Sequence, residues 1–536
     1  MKLVVKFAFP LIVCAAAFAQ FPPQLKNVIV IMQENRTPDN FFHYLTPACP
    51  IPAGATGLKA CIPSPVTRSC YDISPCGLSN QSGTIVPITL TGVPIVGPDA
   101  FHNHTAFEQQ CDLDPTTFQC RNDGAWQTAT NGHAYSYVLN DPVTNYDGSA
   151  GHLLDPYLTF AKQYGWANFM YQTNQGPSYP SHQFIFTGTS ALSDSDDANS
   201  IFVSENTGGV PQAGCLMPAS APGKIAWNRV VQPASPPFAK GCFLFDANSV
   251  QECLVFNTLG PSNVGTFCTN DSNMATTVLD PHSISWKYYT PGVASLWTAP
   301  TAIQSICAPE MNAAGNLVCT GAEFLANVDA KNHGTDILRD IAACKLAQVS
   351  WAMPDGAWSD HAGIVFPTDR YGPSWVAAII NAIGTHPTCP AGTPDAGQTY
   401  WNNTAIVVTW DDWGGWADNQ PPKLLGGLPC VFTTPPTRCP GDYQFGFRVP
   451  LLVVSAYTSK GFIHNGVDDY GSILRMIEGI NHLKEGMMGN ADARSVSDLR
   501  AFFTLKQPRV YQTVPALVDA SFFLNYTGAV LAPDND

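Results

Sequence analysis

The sequence predicts an α/β fold built on a mainly parallel sheet with helices on both faces. Apolar runs without strict alternation are typical of strands that are covered on both faces. Such runs occur at residues 27–32, 348–353, 404–410 and 449–455. Helical or irregular segments separate the runs, and the patterns at 374–383 and 471–483 are typical of helices with one apolar face. Strands that alternate with helices indicate a parallel sheet between two helical layers.

A single large domain with insertions is the predicted organisation. At 536 residues, the chain is long enough for several average domains or for one α/β domain with insertions. The motifs described below are distributed over most of residues 20–536, which favours one domain. Two segments, about 46–100 and 195–275, are rich in turn residues or in cysteines and show little periodicity. We predict that both are insertions held by disulfides.

Residues 1–19 are predicted to form a cleaved secretory signal peptide. Lys2 and Lys6 are followed by an apolar stretch that ends in Ala17-Phe18-Ala19, which is the pattern of such signals. We expect cleavage after Ala19 and a mature protein that is secreted or periplasmic. Further along the chain, no apolar run approaches the roughly 18 residues that a membrane-spanning helix needs.

The cysteine content agrees with export to an oxidising compartment. The chain has 17 cysteines, and loss of Cys14 with the signal leaves an even number, which suits disulfide pairing. No Cys-x-x-Cys occurs in the sequence, and this disfavours a thiolate zinc site. Small disulfide-closed loops are suggested by three pairs spaced nine residues apart: Cys61/Cys70, Cys111/Cys120 and Cys430/Cys439.

Polar pairs directly follow two of the predicted strands. Glu34 and Asn35 follow the first strand, and Asp411 and Asp412 follow the strand at 404–410. Ligands of open α/β sheets bind at the carboxyl ends of strands, and adjacent carboxylates repel unless a cation or a helix N-terminus offsets them. Each pair alone fits a helix cap or a solvated turn. Together they form an oxygen-rich set that suits Mg²⁺, Ca²⁺ or Mn²⁺, with Zn²⁺ less natural.

A serine near a predicted helix N-terminus is the candidate nucleophile. In Gly176-Pro177-Ser178-Tyr179-Pro180-Ser181-His182, Pro180 suits the first helical turn and Ser178 a position at or just before the N-cap. Backbone N–H groups at a helix N-terminus favour an anion such as phosphate. The alternative is a plain helix cap. Beside a cation, the hydroxyl would lose its proton more easily and act as a nucleophile.

Histidines are the candidate proton donors. His102 and His104 lie in one short segment, and His361 follows the strand at 348–353. A leaving alkoxide needs a proton, and phosphate oxygens need positively polarised donors. Each histidine taken singly is equally compatible with a structural role.

These motifs together resemble a family of bacterial and plant phosphoesterases that includes phospholipases C and acid phosphatases. The resemblance is distributed, because segments spread over roughly residues 27–480 follow the order of the family's motifs. The segments are Val30 to Phe42, Phe101 to Phe107, Asn122-Asp123-Gly124, Gly176 to His182, Ser285 to Tyr289, Val349-Ser350-Trp351, Asp360-His361, Thr409 to Trp416 and Gly446 to Pro450.

The resemblance implies a three-layer α/β/α fold like that of alkaline phosphatases and one divalent metal ion whose identity is left open. The metal ligands that it implies are Glu34, Asn35, Asp411 and Asp412. It also implies that Ser178 takes the phosphoryl group and that His104 and His361 contact the substrate or donate protons. Arg36 is implied to hold the first motif together.

The sequence departs from the family's pattern around the proposed site. The family's Pro-Asn after the nucleophile is Pro180-Ser181 here, and its late Asp-His-x-Ser is Asp469-Tyr470-Gly471-Ser472. Its Tyr-Asp-His after the paired glycines is Ala417-Asp418-Asn419, and residues 297–306 contain no paired histidines. The proposed ligands and nucleophile are kept, whereas the surrounding histidines and the substrate are left open.

An exported phosphoesterase that forms a phosphoseryl intermediate is the resulting prediction. A phospholipase C-like phosphodiesterase is favoured, because Lys and Arg are scarce near the motifs and a monoester dianion needs more cationic groups. The alternatives are an acid phosphatase and, from another class, a catalytically silent secreted binding protein. The expected partner is a phosphate ester, with a phospholipid head group as one candidate. The net charge of −15 disfavours nucleic acid, and the oligomeric state is left open.

Overall fold

A computed structural model of the protein describes residues 20–45, 64–114, 119–128, 133–192, 196–197, 200–205, 214–217, 222–228, 242–243, 252–256, 268, 273–293, 295–363, 370–425, 428–430, 437–439 and 443–531. The predicted signal peptide and Cys61 lie outside these ranges. Within them, no helix has the length and apolar character that crossing a bilayer requires.

An eight-stranded sheet forms the centre of the fold. Its strands in chain order are β1 (Asn27–Gln33), β2 (Gly165–Met170), β3 (Trp286–Tyr289), β4 (Val328–Asp329), β5 (Val349–Ala352), β6 (Thr404–Trp410), β7 (Leu451–Ser455) and β8 (Phe462–Asp468). They lie side by side in the order β4-β3-β5-β1-β6-β7-β2-β8. β7 is antiparallel to both neighbours, and the other neighbouring pairs are parallel. The prediction of a mainly parallel sheet is confirmed.

Helices connect most of these strands. The described α-helices are α1 (Pro38–Phe41), α2 (His104–Cys111), α3 (Asp155–Gln163), α4 (Ser178–Thr187), α5 (Gln304–Cys307), α6 (Ala322–Asn327), α7 (Asp336–Ala342), α8 (Gly372–Thr385), α9 (Tyr400–Asn403), α10 (Tyr470–Ile480), α11 (Asn490–Arg494) and α12 (Ala520–Leu524). A π-helical turn spans Met274–Leu279, and 3-10 turns span His43–Leu45, Ala125–Gln127, Gly214–Leu216, Asp280–His282, Ala299–Ala302, Asn332–Gly334, Gly356–Trp358 and Arg500–Phe502. The helices predicted at 374–383 and 471–483 are α8 and α10.

Two buried tryptophans show that helices cover both faces of the sheet. The strand register aligns Trp351 with Val30 and Trp410 with Gln33. Because Val30 and Gln33 are an odd number of residues apart, the two indoles point to opposite faces. Trp351 donates its Nε1–H to the carbonyl of Ile185 in α4, and Trp410 packs on a tyrosine of α3. The predicted three-layer α/β/α arrangement is therefore present, and every residue of β1, β5, β6 and β7 is buried.

The sheet collects several chain segments at one edge. The carboxyl ends of β1, β2, β5, β6 and β8 meet there because these strands run in the same direction. β7 runs in the opposite direction, so the residues just before it, including Arg448, reach the same edge. Arg448 is fully buried and donates to both carboxylate oxygens of Asp418, at 2.9 and 3.0 Å.

Smaller sheets decorate this core. An antiparallel sheet inside the segment predicted as an insertion at 195–275 contains Ile201–Glu205, Pro222–Trp227, Cys242–Phe243 and Glu252–Phe256. Two-stranded pairs join Cys76–Ser79 to Val86–Thr89, Thr91–Val93 to Ser136–Val138, Pro142–Thr144 to Ala150–His152, Pro309–Met311 to Leu317–Cys319, Leu424–Leu425 to Tyr443–Gln444, and Leu428–Cys430 to Thr437–Cys439.

Disulfides close several of the connections. One of the predicted nine-residue pairs, Cys111–Cys120, is confirmed. The side chains of the pair Cys430/Cys439 lie outside the described residues. Further disulfides join Cys215 to Cys268, Cys307 to Cys319 and Cys344 to Cys389, and Cys70 and Cys76 are also disulfide-bonded.

Candidate active site

The two predicted acidic segments lie side by side at the carboxyl edge of the sheet. β1 and β6 are parallel neighbours, and Gln33 is in register with Trp410. The next residues of each strand therefore meet: the backbone N–H of Asn35 donates to Asp411 Oδ1 at 2.8 Å. The side-chain amide of Asn35 donates to Asp412 Oδ2 at 3.3 Å. These residues and Glu34 have no exposed surface.

Ser178 is brought to the same cluster from the end of β2. A loop after β2 leads into α4, in which Ser178 is the first helical residue and Pro177 the N-cap. The Ser178 hydroxyl donates to Asp412 Oδ2 at 3.3 Å. Six residues before Ser178, Gln172 donates to the carbonyl of Gly176 at 3.0 Å and holds the loop in place. The structure thus unites the predicted nucleophile with the predicted ligands.

His182 also faces the cluster, and its role was missed at the level of sequence. Its Nε2 lies 3.1 Å from Glu34 Oε1 and 3.9 Å from Asp411 Oδ2. His182 follows Ser178 by four residues in α4, so both side chains lie on one helix face. That spacing was the available signal. Complete burial lowers the pKa of His182 to about 4, because a charged imidazole is poorly solvated there.

The donor set fits a divalent cation. Asn35 Oδ1 and Asp411 Oδ2 are buried oxygens that lack a hydrogen-bond partner among the described residues. Buried acceptors of this kind are costly unless a cation or a donor is bound to them. Glu34, His182 and Asp411 each offer one ligand atom, and these atoms lie within 4.8 Å of one another. A second such group, Cys344, His386 and Cys389, is excluded because its cysteines form a disulfide.

His102 orients the amide of Asn35. The Nδ1 of His102 lies 2.7 Å from the carbonyl of Ala100 and must donate to it. In that tautomer, Nε2 accepts a hydrogen bond, and it lies 2.9 Å from Asn35 Nδ2. The amide nitrogen is thereby held on His102, which leaves Asn35 Oδ1 for a cation. The sequence had left the role of His102 open.

The paired glycines after Asp412 allow the close approach of these segments. Gly414 and Gly415 have φ angles of 62° and 71°, a region that residues with a Cβ rarely adopt. A Cβ on Gly414 would lie 2.4 Å from the carbonyl oxygen of Asn35, and one on Gly415 would lie 2.5 Å from that of Phe101. The backbone N–H of Gly414 donates to Asp412 Oδ1 at 2.6 Å.

The two predicted proton donors lie around the cluster, each anchored through one ring nitrogen. His104 begins α2 and hydrogen-bonds through Nδ1 to the carbonyl of Gln175, three residues before Ser178. His361 hydrogen-bonds through Nδ1 to the carbonyl of Ala362, and its ring centroid lies 5.5 Å from that of His102. Both are buried. Their assignment as catalytic residues stays a prediction.

Tyr470 stands where the family's pattern has a histidine. It is the first residue of α10, and its hydroxyl donates to the backbone carbonyls of Trp410 and Asp411. Burial raises the pKa of Tyr470 well above its ordinary value, and the nearby charges of Asp411 and Asp412 act in the same direction. Tyr470 therefore stays a neutral donor that fixes the end of β6.

Arg36 holds together backbone segments that surround the site. Its Nε donates to the carbonyl of Asp360 at 2.8 Å, and its Nη2 donates to the carbonyl of Ile95 at 2.7 Å. Its Nη1 donates to Asn40 at 3.2 Å. Arg36 links the first motif to the loop that carries His361, in agreement with the role that the resemblance implied.

Asp360, which directly precedes His361 in that loop, has a buried carboxyl group. Its Oδ2 accepts hydrogen bonds from the Tyr157 hydroxyl at 2.7 Å and from Trp410 Nε1 at 3.1 Å. Burial raises its pKa from 3.8 to about 7, although the hydrogen bonds and the charge of Arg36 oppose the shift. Asp360 is therefore protonated in a large fraction of molecules near neutral pH.

A buried serine hydroxyl beside a cluster of carboxylate and amide oxygens, at the carboxyl edge of an α/β/α sheet, is the arrangement of a hydrolase that attacks an ester with a serine nucleophile. The chain belongs to the Phosphoesterase family, whose model matches residues 25–484. The family predicted from the distributed motifs is confirmed, and the predicted enzyme class agrees with it.

Curated relatives include bacterial phospholipases C. The chain is 30% identical over 164 residues to the non-hemolytic phospholipase C of Burkholderia pseudomallei (strain K96243), covering 28% of this chain and 21% of that protein. It is 27% identical over 212 residues to phospholipase C A of Mycobacterium tuberculosis (strain H37Rv), covering 37% of each. The alignments thus span between about a fifth and two fifths of the length of these relatives.

A weak likeness to a solved structure was also found. A protein of the alkaline phosphatase superfamily from Vibrio parahaemolyticus superimposes with a TM-score of 0.29 at 9% identity, covering 64% of this chain and 63% of that one. The α/β/α architecture of the present chain rests on its own sheet and helices.

The raised pKa of Asp360 leads to an expectation for stability. Because the folded-state pKa lies above the ordinary value of 3.8, the free energy of unfolding falls as pH rises from about 4 to about 7. Asp360→Asn removes this loss. We expect the free energy of unfolding of the variant, relative to that of wild type, to increase by on the order of 2 kcal/mol from pH 5 to pH 8, as measured by chemical denaturation. Asp141→Asn, at an exposed position, is the control, and a difference independent of pH would show that Asp360 is ionised throughout.

Proposed function

We propose that this protein is an exported, divalent-metal-dependent phosphodiesterase of the phospholipase C type that works through a phosphoseryl intermediate at Ser178. The observation that carries the proposal is the contact of the Ser178 hydroxyl with Asp412, inside a buried cluster that contains unpaired oxygen acceptors. A hydroxyl beside such a cluster is suited to attack phosphorus.

Two displacements account for the reaction. In the first, Ser178 Oγ attacks phosphorus while its proton passes along the hydrogen bond to Asp412. The bond from phosphorus to the alcohol oxygen breaks, and the alcohol leaves with a proton from His104 or His361. In the second, water attacks the phosphorus of the phosphoseryl group and gives a proton to the histidine that had lost one. Asp412 returns its proton to the serine oxygen, and a phosphomonoester is released. A divalent cation, when bound, would offset the charge of the phosphate oxygens and lower the pKa of the hydroxyl.

Glu34, Asn35, Asp411 and Asp412 are the residues that would hold the cation. Carboxylate and amide oxygens are ligands of hard divalent ions. Asn35 would offer Oδ1 because its nitrogen is held by His102, and Asp411 would offer Oδ2, which no donor in the described residues reaches within hydrogen-bond distance.

The hydrogen-bond partners of the two buried arginines near the site support a diester substrate. A phosphomonoester carries about two negative charges near neutral pH, whereas a phosphodiester carries one. Arg36 and Arg448 lie behind the site, and their guanidinium groups are bound by backbone carbonyls and by side chains of the scaffold. With their donors used in this way, neither of these two arginines adds a cationic group for a dianion in the part of the chain that the structure describes. The phospholipases C among the relatives support the same choice.

Loss of the nucleophile is the most direct test. We expect Ser178→Ala to lower kcat for phosphodiester hydrolysis by at least about 1,000-fold, because the covalent step is lost. Ser181→Ala is a matched control, since Ser181 lies on the same helix and is equally buried but bonds to Asn174; we expect less than about a 10-fold change. Near-normal turnover by Ser178→Ala would overturn the mechanism, and an inactive wild type that binds metal would favour the silent binding protein.

Substrate class is tested by comparing two chromogenic compounds. We expect kcat/KM for an aryl phosphodiester of choline to exceed that for the matching aryl phosphate monoester by at least about 10-fold, roughly the discrimination that one unneutralised charge causes at a partly polar site. The reverse order would identify an acid phosphatase instead.

Export is tested by the N-terminus of the mature protein. After expression of the full chain in a bacterial host with a Sec pathway, we expect the periplasmic or secreted product to begin at Gln20. A product that keeps residues 1–19 in the cytoplasm would contradict the proposed signal peptide, without bearing on the catalytic residues.

A further inference from the structure

His182 lies directly against the acidic cluster of the candidate active site. It lies one helical turn after Ser178 on the same face of α4, and both side chains are completely buried. The ring of His182 stacks beside Trp297, with centroids 6.2 Å apart. The helix and the indole together hold the imidazole against the acidic cluster.

The distances around His182 Nε2 match a shared ion. Two ligand atoms that are each about 2.1 Å from one cation lie no more than about 4.2 Å apart. Nε2 is 3.1 Å from Glu34 Oε1 and 3.9 Å from Asp411 Oδ2. The longer distance exceeds the length of a hydrogen bond. The hydrogen bond between His182 and Glu34 therefore does not explain why Asp411 Oδ2 is buried without a hydrogen-bond partner among the described residues. A cation between the three atoms accounts for both distances.

We propose that His182 is a nitrogen ligand of the active-site cation and that it makes the site select a transition-metal ion over Mg²⁺ and Ca²⁺. The inference rests on the proposed function, because it concerns the same site. Imidazole is a good ligand for Zn²⁺, Co²⁺ and related ions, whereas Mg²⁺ and Ca²⁺ prefer oxygen. An oxygen set alone favours the hard ions, and one nitrogen shifts the preference. Zn²⁺, which the oxygen ligands alone made the less natural choice, becomes a leading candidate.

Co²⁺ is the probe for direct ligation. The full-length protein is stripped with a chelator and loaded with Co²⁺, and exchangeable imidazole N–H protons are observed by paramagnetic NMR. A ligating histidine gives a strongly shifted N–H signal that disappears in D₂O. We expect this signal in wild type, its loss in His182→Gln and its retention in His464→Gln. His464 is a fitting control because its imidazole also pairs with a carboxylate, that of Asp468, at 2.9 Å.

Metal affinity gives the second measurement. By competition with a chelating dye, we expect His182→Gln to weaken Zn²⁺ binding by at least about 10- to 100-fold, the loss that mutation of a residue holding a metal ligand already causes. We expect Mg²⁺ binding to change by less than about 3-fold, because Mg²⁺ prefers oxygen ligands. Glutamine keeps an N–H donor near Glu34, so a purely hydrogen-bonding histidine would be largely replaced by it.

The outcomes separate the inference from the function on which it rests. A wild-type protein without a shifted imidazole signal, or a His182→Gln protein with unchanged Zn²⁺ affinity, overturns ligation by His182 even if hydrolysis and metal dependence are found. A wild-type protein that binds no divalent ion overturns both the inference and the metal-dependent mechanism. If His182→Gln fails to fold, His182→Asn takes its place with the same expected losses, and the absence of a shifted imidazole signal in the wild type still overturns the inference.

Discussion

The pairing of β1 with β6 is the constraint on which the rest of the site depends. Their register aligns Gln33 with Trp410, so the polar residues that follow each strand are forced into contact and have no exposed surface. The carboxylates of Glu34, Asp411 and Asp412 are all fully buried. Buried like charges are strongly unfavourable, and the fold stability of this edge is therefore tied to whatever offsets them.

The surrounding residues are best understood as holding that edge in one arrangement. Tyr470 fixes the end of β6 through two backbone carbonyls, and His102 fixes the amide of Asn35. Gly414 and Gly415 let the loop after Asp412 pass against both segments without a clash. Each of these contacts fixes either the backbone or the orientation of the Asn35 side chain. A cluster of acids held this rigidly can bind a cation without reorganisation.

The sequence was sufficient to locate the central strands and to single out the two acidic segments and Ser178, because each signal is local: an unbroken apolar run, a polar pair at its end, a serine at the start of a helix. It was insufficient where partners are distant. The antiparallel direction of β7 depends on which edge its loop returns to, which an apolar run does not encode. The sheet inside residues 195–275 has short strands whose order is not that of the chain. His182 was passed over because its partners, Glu34 and Asp411, are far away along the sequence.

The antiparallel strand also explains how the site handles positive charge. Since β7 enters the sheet from the catalytic edge, Arg448 lies there, but its guanidinium is bound by Asp418 and by the backbone carbonyls of Asp72 and Asn168. Arg36 is bound in the same way by Asp360 and Ile95. A guanidinium group that is buried without such partners would destabilise the folded protein. Among the described residues, these two arginines therefore add no positive charge for a substrate. This fits the phosphodiester that we propose, because a diester carries one negative charge where a monoester carries about two.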